Sequence, residues 1–211
     1  MDARARFFRA KDEGNPRAAA AALRELAPEE LDDELVLELL ALGDTKDPRA
    51  RHELEERIGA VVIARSAQAA DDLFWMLLDR WSDSSDFGPQ RACDVASTVL
   101  ARAPGERRAL EVYLAASLRD EPYLHRGLDL ESIAVQAPPR DAAVLLAAQA
   151  YIRRAVDGVP ERAHLLLERA RSLDPAVDLA AVRALCLRAM RLPAGMSSVE
   201  AEDALPPLEL A

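Results

Sequence analysis

Asp174-Pro175-Ala176-Val177 closes one apparent helix and opens the next. Ala137-Pro138-Pro139-Arg140, Ala103-Pro104-Gly105-Glu106 and Ala27-Pro28-Glu29-Glu30 do the same further up the chain. Pro175 stands 37 residues after Pro138, Pro138 stands 34 after Pro104, and Pro104 stands 76 after Pro28. The longest interval is about twice the others, so one unit is about 35 residues, the length of a two-helix repeat. Proline punctuates helices because it has no N–H to continue the hydrogen-bond ladder. Near residue 66, where the rhythm calls for a further break, there is Ser66, read as a cap for the next helix.

Apolar residues between the breaks follow helical spacing, as at Leu35, Leu39, Leu40 and Leu42. Eleven helices are expected, over 2–13, 17–26, 29–42, 48–65, 68–81, 89–102, 105–119, 128–136, 139–156, 160–173 and 176–192. Asp47 and Pro48 form a cap and first-turn pair for the fourth. No segment alternates apolar and polar residues as a half-buried strand would. The fold class is therefore all-α: about five helical hairpins and a final helix over 1–192. The stretch 193–211 holds Gly195, Ser197, Ser198, Pro206 and Pro207 with little periodicity, and is expected to be a flexible acidic tail.

The 211 residues are half apolar and 30% charged, enough for a buried core and a soluble surface. Lysine occurs only at Lys11 and Lys46, the arginine-rich habit of a GC-rich bacterial genome. The net charge of −10 argues against nucleic-acid binding, which needs clustered cations, and against an anionic membrane surface. The charge is uneven: residues 29–64 carry −7, residues 139–192 carry +3 and residues 193–211 carry −4. Cys93 and Cys186 lie in apolar helical contexts, which fits a reduced, cytoplasmic protein. The N-terminus is charged throughout and offers no signal-peptide core. The longest apolar stretch, Ala142 to Ile152, is interrupted by Gln149 and is too short to span a bilayer.

One unit resembles a tetratricopeptide repeat. Ala148 and Tyr151 match that family's small and aromatic pair in the first helix, and Ala163, Ala170 and Pro175 match the second. Gly158 sits where the family often has its inter-helix glycine, with about three extra residues between it and Tyr151 and no tryptophan at the start. Ala92 and Pro104 repeat part of the pattern, with Val99 in place of the second alanine. The resemblance is to degenerate, tetratricopeptide-like repeats and implies a right-handed α-solenoid. It further implies a non-enzymatic adaptor or scaffold, with the first helix of each hairpin facing a protein or peptide partner. For the best unit that places Ala142, Leu145, Gln149, Ile152 and Arg153 at the partner, with Glu111 and Arg119 in the same phase.

No residue pattern points to a reaction. His52, His125 and His164 fall on separate segments, and no zinc spacing, phosphate loop or nucleophile elbow occurs, so neither metal nor cofactor is expected. His52 and Glu56, four apart, read as a surface ion pair. Asp86-Phe87-Gly88 spells the kinase magnesium motif without any of its companions and reads as a turn before Pro89. The acids of Glu29-Glu30-Leu31-Asp32-Asp33-Glu34 suit a helix start. In Phe74-Trp75-Met76-Leu77-Leu78, an apolar run wider than one helix face, either a central helix is packed on both sides or Trp75 and Trp81 are exposed anchors. The competing functions are a ligand-sensing regulatory domain, a specialised chaperone or inhibitory partner, and, last, an enzyme whose residues meet only in three dimensions. The tail is a candidate internal ligand for Arg153, Arg154, Arg188 and Arg191.

Overall fold

The computed structural model describes residues 2–43, 45–66, 71–84, 88–118, 129–157, 160–190 and 205. The described residues are helical, without strands, and their contacts fall into two compact units, Met1–Gly88 and Pro89–Ala211.

The N-terminal unit contains α1 (Ala3–Asp12), α2 (Pro16–Arg24), α3 (Asp33–Leu42), α4 (Pro48–Ser66) and α5 (Asp72–Ser84). Gly14, at φ 66, provides the left-handed residue that turns α1 into α2. Helix α2 packs on α1 and α4, while α5 packs on α4 and α3. Phe7, Leu23, Leu39, Leu54, Ile58, Phe74 and Leu78 are among its buried side chains.

Several starts differ from the periodic reading. Pro28–Glu30 makes only a 3-10 turn, and Leu31 is extended. The Asp32 carboxylate accepts from Leu35 N–H at 3.0 Å, so α3 begins four residues later than Glu29. Asp47 does cap α4, accepting from Arg49 N–H at 3.1 Å. Ser66 opens no helix: it is the last residue of α4, and its hydroxyl donates to Ile63 C=O at 2.7 Å. The cap of α5 is Asp71, which accepts from Phe74 N–H at 2.8 Å.

Five of the acids of 29–64 meet cations from α1 or α2. Arg4 pairs with Asp32 and Glu34, Lys11 with Glu38, Arg17 with Asp47, and Arg24 with Glu53 at 3.7 Å. Thus α1 reaches the α3 end of the next hairpin and α2 reaches α4. The acidic stretch is a hairpin-to-hairpin seam. Each pair is exposed enough to add little stability.

The C-terminal unit contains α6 (Gly88–Arg102), α7 (Arg107–Leu118), α8 (Leu130–Ala134), α9 (Pro139–Ile152), α10 (Pro160–Leu173) and α11 (Leu179–Ala189). Helices α9 and α10 form its most extensive helix pair, with Ala148, Tyr151, Ala163 and Ala170 buried. Small residues let the two helix axes approach. The extra residues after Tyr151 are taken up by a π-helical turn, Arg153–Asp157, which widens the ladder without breaking it. Helix α11 packs on both α7 and α9. It begins at Leu179 and not Ala176, because Asp174 accepts from Ala176 N–H in a turn and Asp178 caps from Ala181 N–H, both at 2.9 Å.

Of the stretch 193–211, only Leu205 lies within the described residues. It is fully buried, and its carbonyl accepts from Arg183 Nε at 2.7 Å. The cation it meets is none of the four named from the sequence, and the contact is to backbone, not to a carboxylate.

Candidate functional site

The residues chosen from the sequence are mostly interior. Trp75 and Trp81 are each 3% exposed, so neither is a surface anchor. Phe74 and Trp75 meet edge to face at 4.9 Å between ring centres. The Trp81 indole lies against Gly59 of α4, where a Cβ would come within 2.6 Å of it. The helix packed on both sides is the reading that fits α5. Leu145 and Ile152 are buried, and Gln149 is 3% exposed, its Oε1 accepting from Leu130 N–H at 3.3 Å. That bond satisfies a donor at the start of α8, which the α9 glutamine reaches across the helix pair. Only Arg153 among these is partly exposed. The face of α9 assigned to a partner is covered by the chain itself. Glu111 is half-buried and pairs with Arg107 at 3.3 Å and Arg188 at 3.9 Å; Arg119, His125, Asp86 and Phe87 lie outside the described residues.

The geometry gathers a different set. At one end of α7, α9 and α11 a recess of about 540 Å³ opens. Its apolar wall comes from Leu110 of α7, Val144 of α9, and Val182 and Leu185 of α11, with Ala176 and Val177 from the preceding turn. Glu106, Arg107, Arg140, Asp141, Asp174 and Asp178 carry charge around it. The segments start their helices here because proline or aspartate stops the previous one, so helix beginnings are brought to a common end.

Most of these charges are already engaged. Asp174 and Asp178 hold the backbone of the turn, Glu106 accepts from Arg108 N–H at 3.1 Å, and Arg107 is paired with Glu111. Arg140 and Asp141 make no hydrogen bond or ion pair through their side chains among the described residues. Asp141 is half-buried in the first turn of α9, where the helix dipole favours an anion. Gly105 packs beside it, and a Cβ there would lie 3.1 Å from Asp141 Oδ1. The recess thus has an apolar wall and, at its mouth, a carboxylate that meets no partner among the described residues.

A second cluster, Cys93, Tyr113 and Ser117, is buried in the same unit. Burial pushes the Cys93 thiol up to about 12 and raises the Tyr113 phenol. Burial also pushes Cys186 up to about 12. All three stay protonated at neutral pH, the opposite of an activated nucleophile. His52 lies 3.6 Å from Glu56 and His164 lies 3.3 Å from Glu168, both within one helix. Among the described residues no group of three or more metal-ligating side chains occurs, and no helix is long and apolar enough to cross a membrane.

Compared with known protein families, with curated proteins and with solved structures, the chain shows no match.

Proposed function

We propose that this protein is a non-enzymatic adaptor or scaffold that holds a protein or peptide partner on its helical-hairpin surface. The observation that carries the reading is the recess at the ends of α7, α9 and α11, a volume of about 540 Å³ with an apolar wall and, at its rim, a carboxylate without a partner among the described residues. Such a recess lies within the usual range for ligand sites, about 300–1,000 Å³. The contact point moves from the predicted face of α9 to the hairpin ends, because that face is buried.

A degenerate, tetratricopeptide-like solenoid remains the arrangement we favour. The α9–α10 pair, with its buried alanines, and the seam from α1 to α3 and α2 to α4 support hairpins stacked on hairpins. The return of α11 onto α7 as well as α9 makes the C-terminal unit more closed than strict neighbour-only stacking. A cytoplasmic setting suits two buried, unpaired thiols. A ligand-sensing domain is the second reading; a wall of leucine and valine, with the charge confined to the rim, favours a peptide side chain over a polar metabolite.

Panning the full chain against a displayed random-peptide library tests the proposal. A consensus that binds saturably as a synthetic peptide is expected. Enrichment of nothing that binds saturably in solution overturns it.

A further inference from the structure

We infer that the recess receives an apolar side chain of a partner segment carrying arginine or lysine beside it, with Asp141 taking the cation. This rests on the binding function proposed above and gives it a site and a ligand chemistry. Leu110, Val144, Val182 and Leu185 come from three helices and converge on one volume, so an apolar group placed there leaves water on several sides at once. Around that volume stand four acids and two arginines, an excess of negative charge. Three of the acids already accept from backbone N–H groups, whereas Asp141 accepts from none of the described residues.

Asp141 is also the better receiver on physical grounds. Its carboxylate is partly withdrawn from water, where an opposite charge counts for more than it does on an open surface. Gly105 leaves its flank clear: any larger residue would put a carbon within 3.1 Å of Oδ1. Arg140, the neighbouring opposite charge, is exposed and therefore screened. Two other occupants have the wrong sign. The chain's own stretch 193–211 carries −4, and its described residue Leu205 sits at Arg183. A second copy of the chain brings a net −10.

The test titrates isotope-labelled full chain with two short, end-blocked peptides, one of leucine and arginine and one with glutamate replacing arginine. Saturable amide shifts at Leu110, Val144 and Val182 are expected with the arginine peptide and not with the glutamate one. Asp141→Asn should weaken that binding about tenfold, as loss of a close charge pair does, while leaving the helical circular dichroism unchanged. Val144→Asp, at the half-buried position of the same wall, should abolish it with the helical circular dichroism unchanged. Equal binding of the two peptides, shifts confined to other residues, or an Asp141→Asn protein that binds as tightly as the parent would each overturn the inference. If panned peptides bind saturably but elsewhere, the inference fails and the scaffold function stands. If no panned peptide binds, both fail.

Discussion

Gly59 lies in the middle of α4, a position where alanine is ordinarily the better residue by about 1 kcal/mol. Here the packing reverses that sign. A Cβ at residue 59 would stand 2.6 Å from Cε2 and Cζ2 of Trp81 and 2.7 Å from its Nε1. Carbon atoms in good contact are about 3.5–4.0 Å apart, so the ring must retreat by about 1 Å. Trp81 is 3% exposed and has nowhere to retreat without moving α5. Overpacking of this kind costs about 1–3 kcal/mol, and the propensity gain offsets part of it. Gly59→Ala should therefore destabilise the N-terminal unit by about 1–2 kcal/mol. Urea unfolding followed by tryptophan fluorescence isolates the effect, because both tryptophans of the chain, Trp75 and Trp81, lie on α5. In a Trp81→Leu background the methyl enters vacated space, and the same substitution should become neutral or stabilising, a coupling of about 1–3 kcal/mol. A Gly59→Ala protein that is more stable than the parent would refute the packing of Trp81 on α4.

Three further expectations follow from the same structure. Hydrogen bonds from Arg4, Arg6 and Arg17 hold the Asp32, Glu25 and Asp47 carboxyls below their usual range. Such groups stabilise the fold above their unfolded pKa values and lose that contribution as pH falls through the lower folded ones. The N-terminal unit should thus lose urea resistance as pH drops from about 5 towards 2, more than an Arg4→Gln, Arg6→Gln, Arg17→Gln variant does. A matching pH profile in that variant would contradict this. Cys93 and Cys186, both pushed up to about 12 by burial, should react with a thiol reagent at pH 8 only as fast as the chain opens; immediate reaction of either in the folded protein would show the burial to be wrong. Gln149→Leu leaves the Leu130 N–H without its partner and should cost about 1–3 kcal/mol in the C-terminal unit by urea unfolding, against no change if that donor is met by water.

The helical elements were legible because their signals are local. Apolar spacing gives the helix bodies, and Pro48, Pro139 and Pro160 stand at the first helical position as their chemistry favours. Periodicity could not decide starts such as that of α3, where Asp32 competes with the acids before it for the capping role. Ala148, Ala163 and Ala170, small residues singled out from the sequence, are buried, and a π-turn follows Tyr151. Depth was not legible. Trp75, Trp81 and Ile152 sit on stripes that spacing alone cannot assign to an inner or outer neighbour. Gln149 stood out as the polar break in an apolar run; that signal is equally the mark of a buried hydrogen bond, and the structure gives it that use. The recess was invisible because Gly105, Asp141 and Val182 are far apart in sequence. Its one trace was that three of the punctuating prolines, Pro104, Pro138 and Pro175, are followed within three residues by a member of its charged rim.

A partner held at the ends of α7, α9 and α11 would shield the backbone there from solvent. Amide hydrogen exchange of the full chain, with and without a saturating peptide selected by panning, tests it most directly. Slower exchange on binding is expected within 104–110, 140–144 and 176–185, the segments that line the recess. Protection confined to other segments, such as α3 and α4, would contradict it.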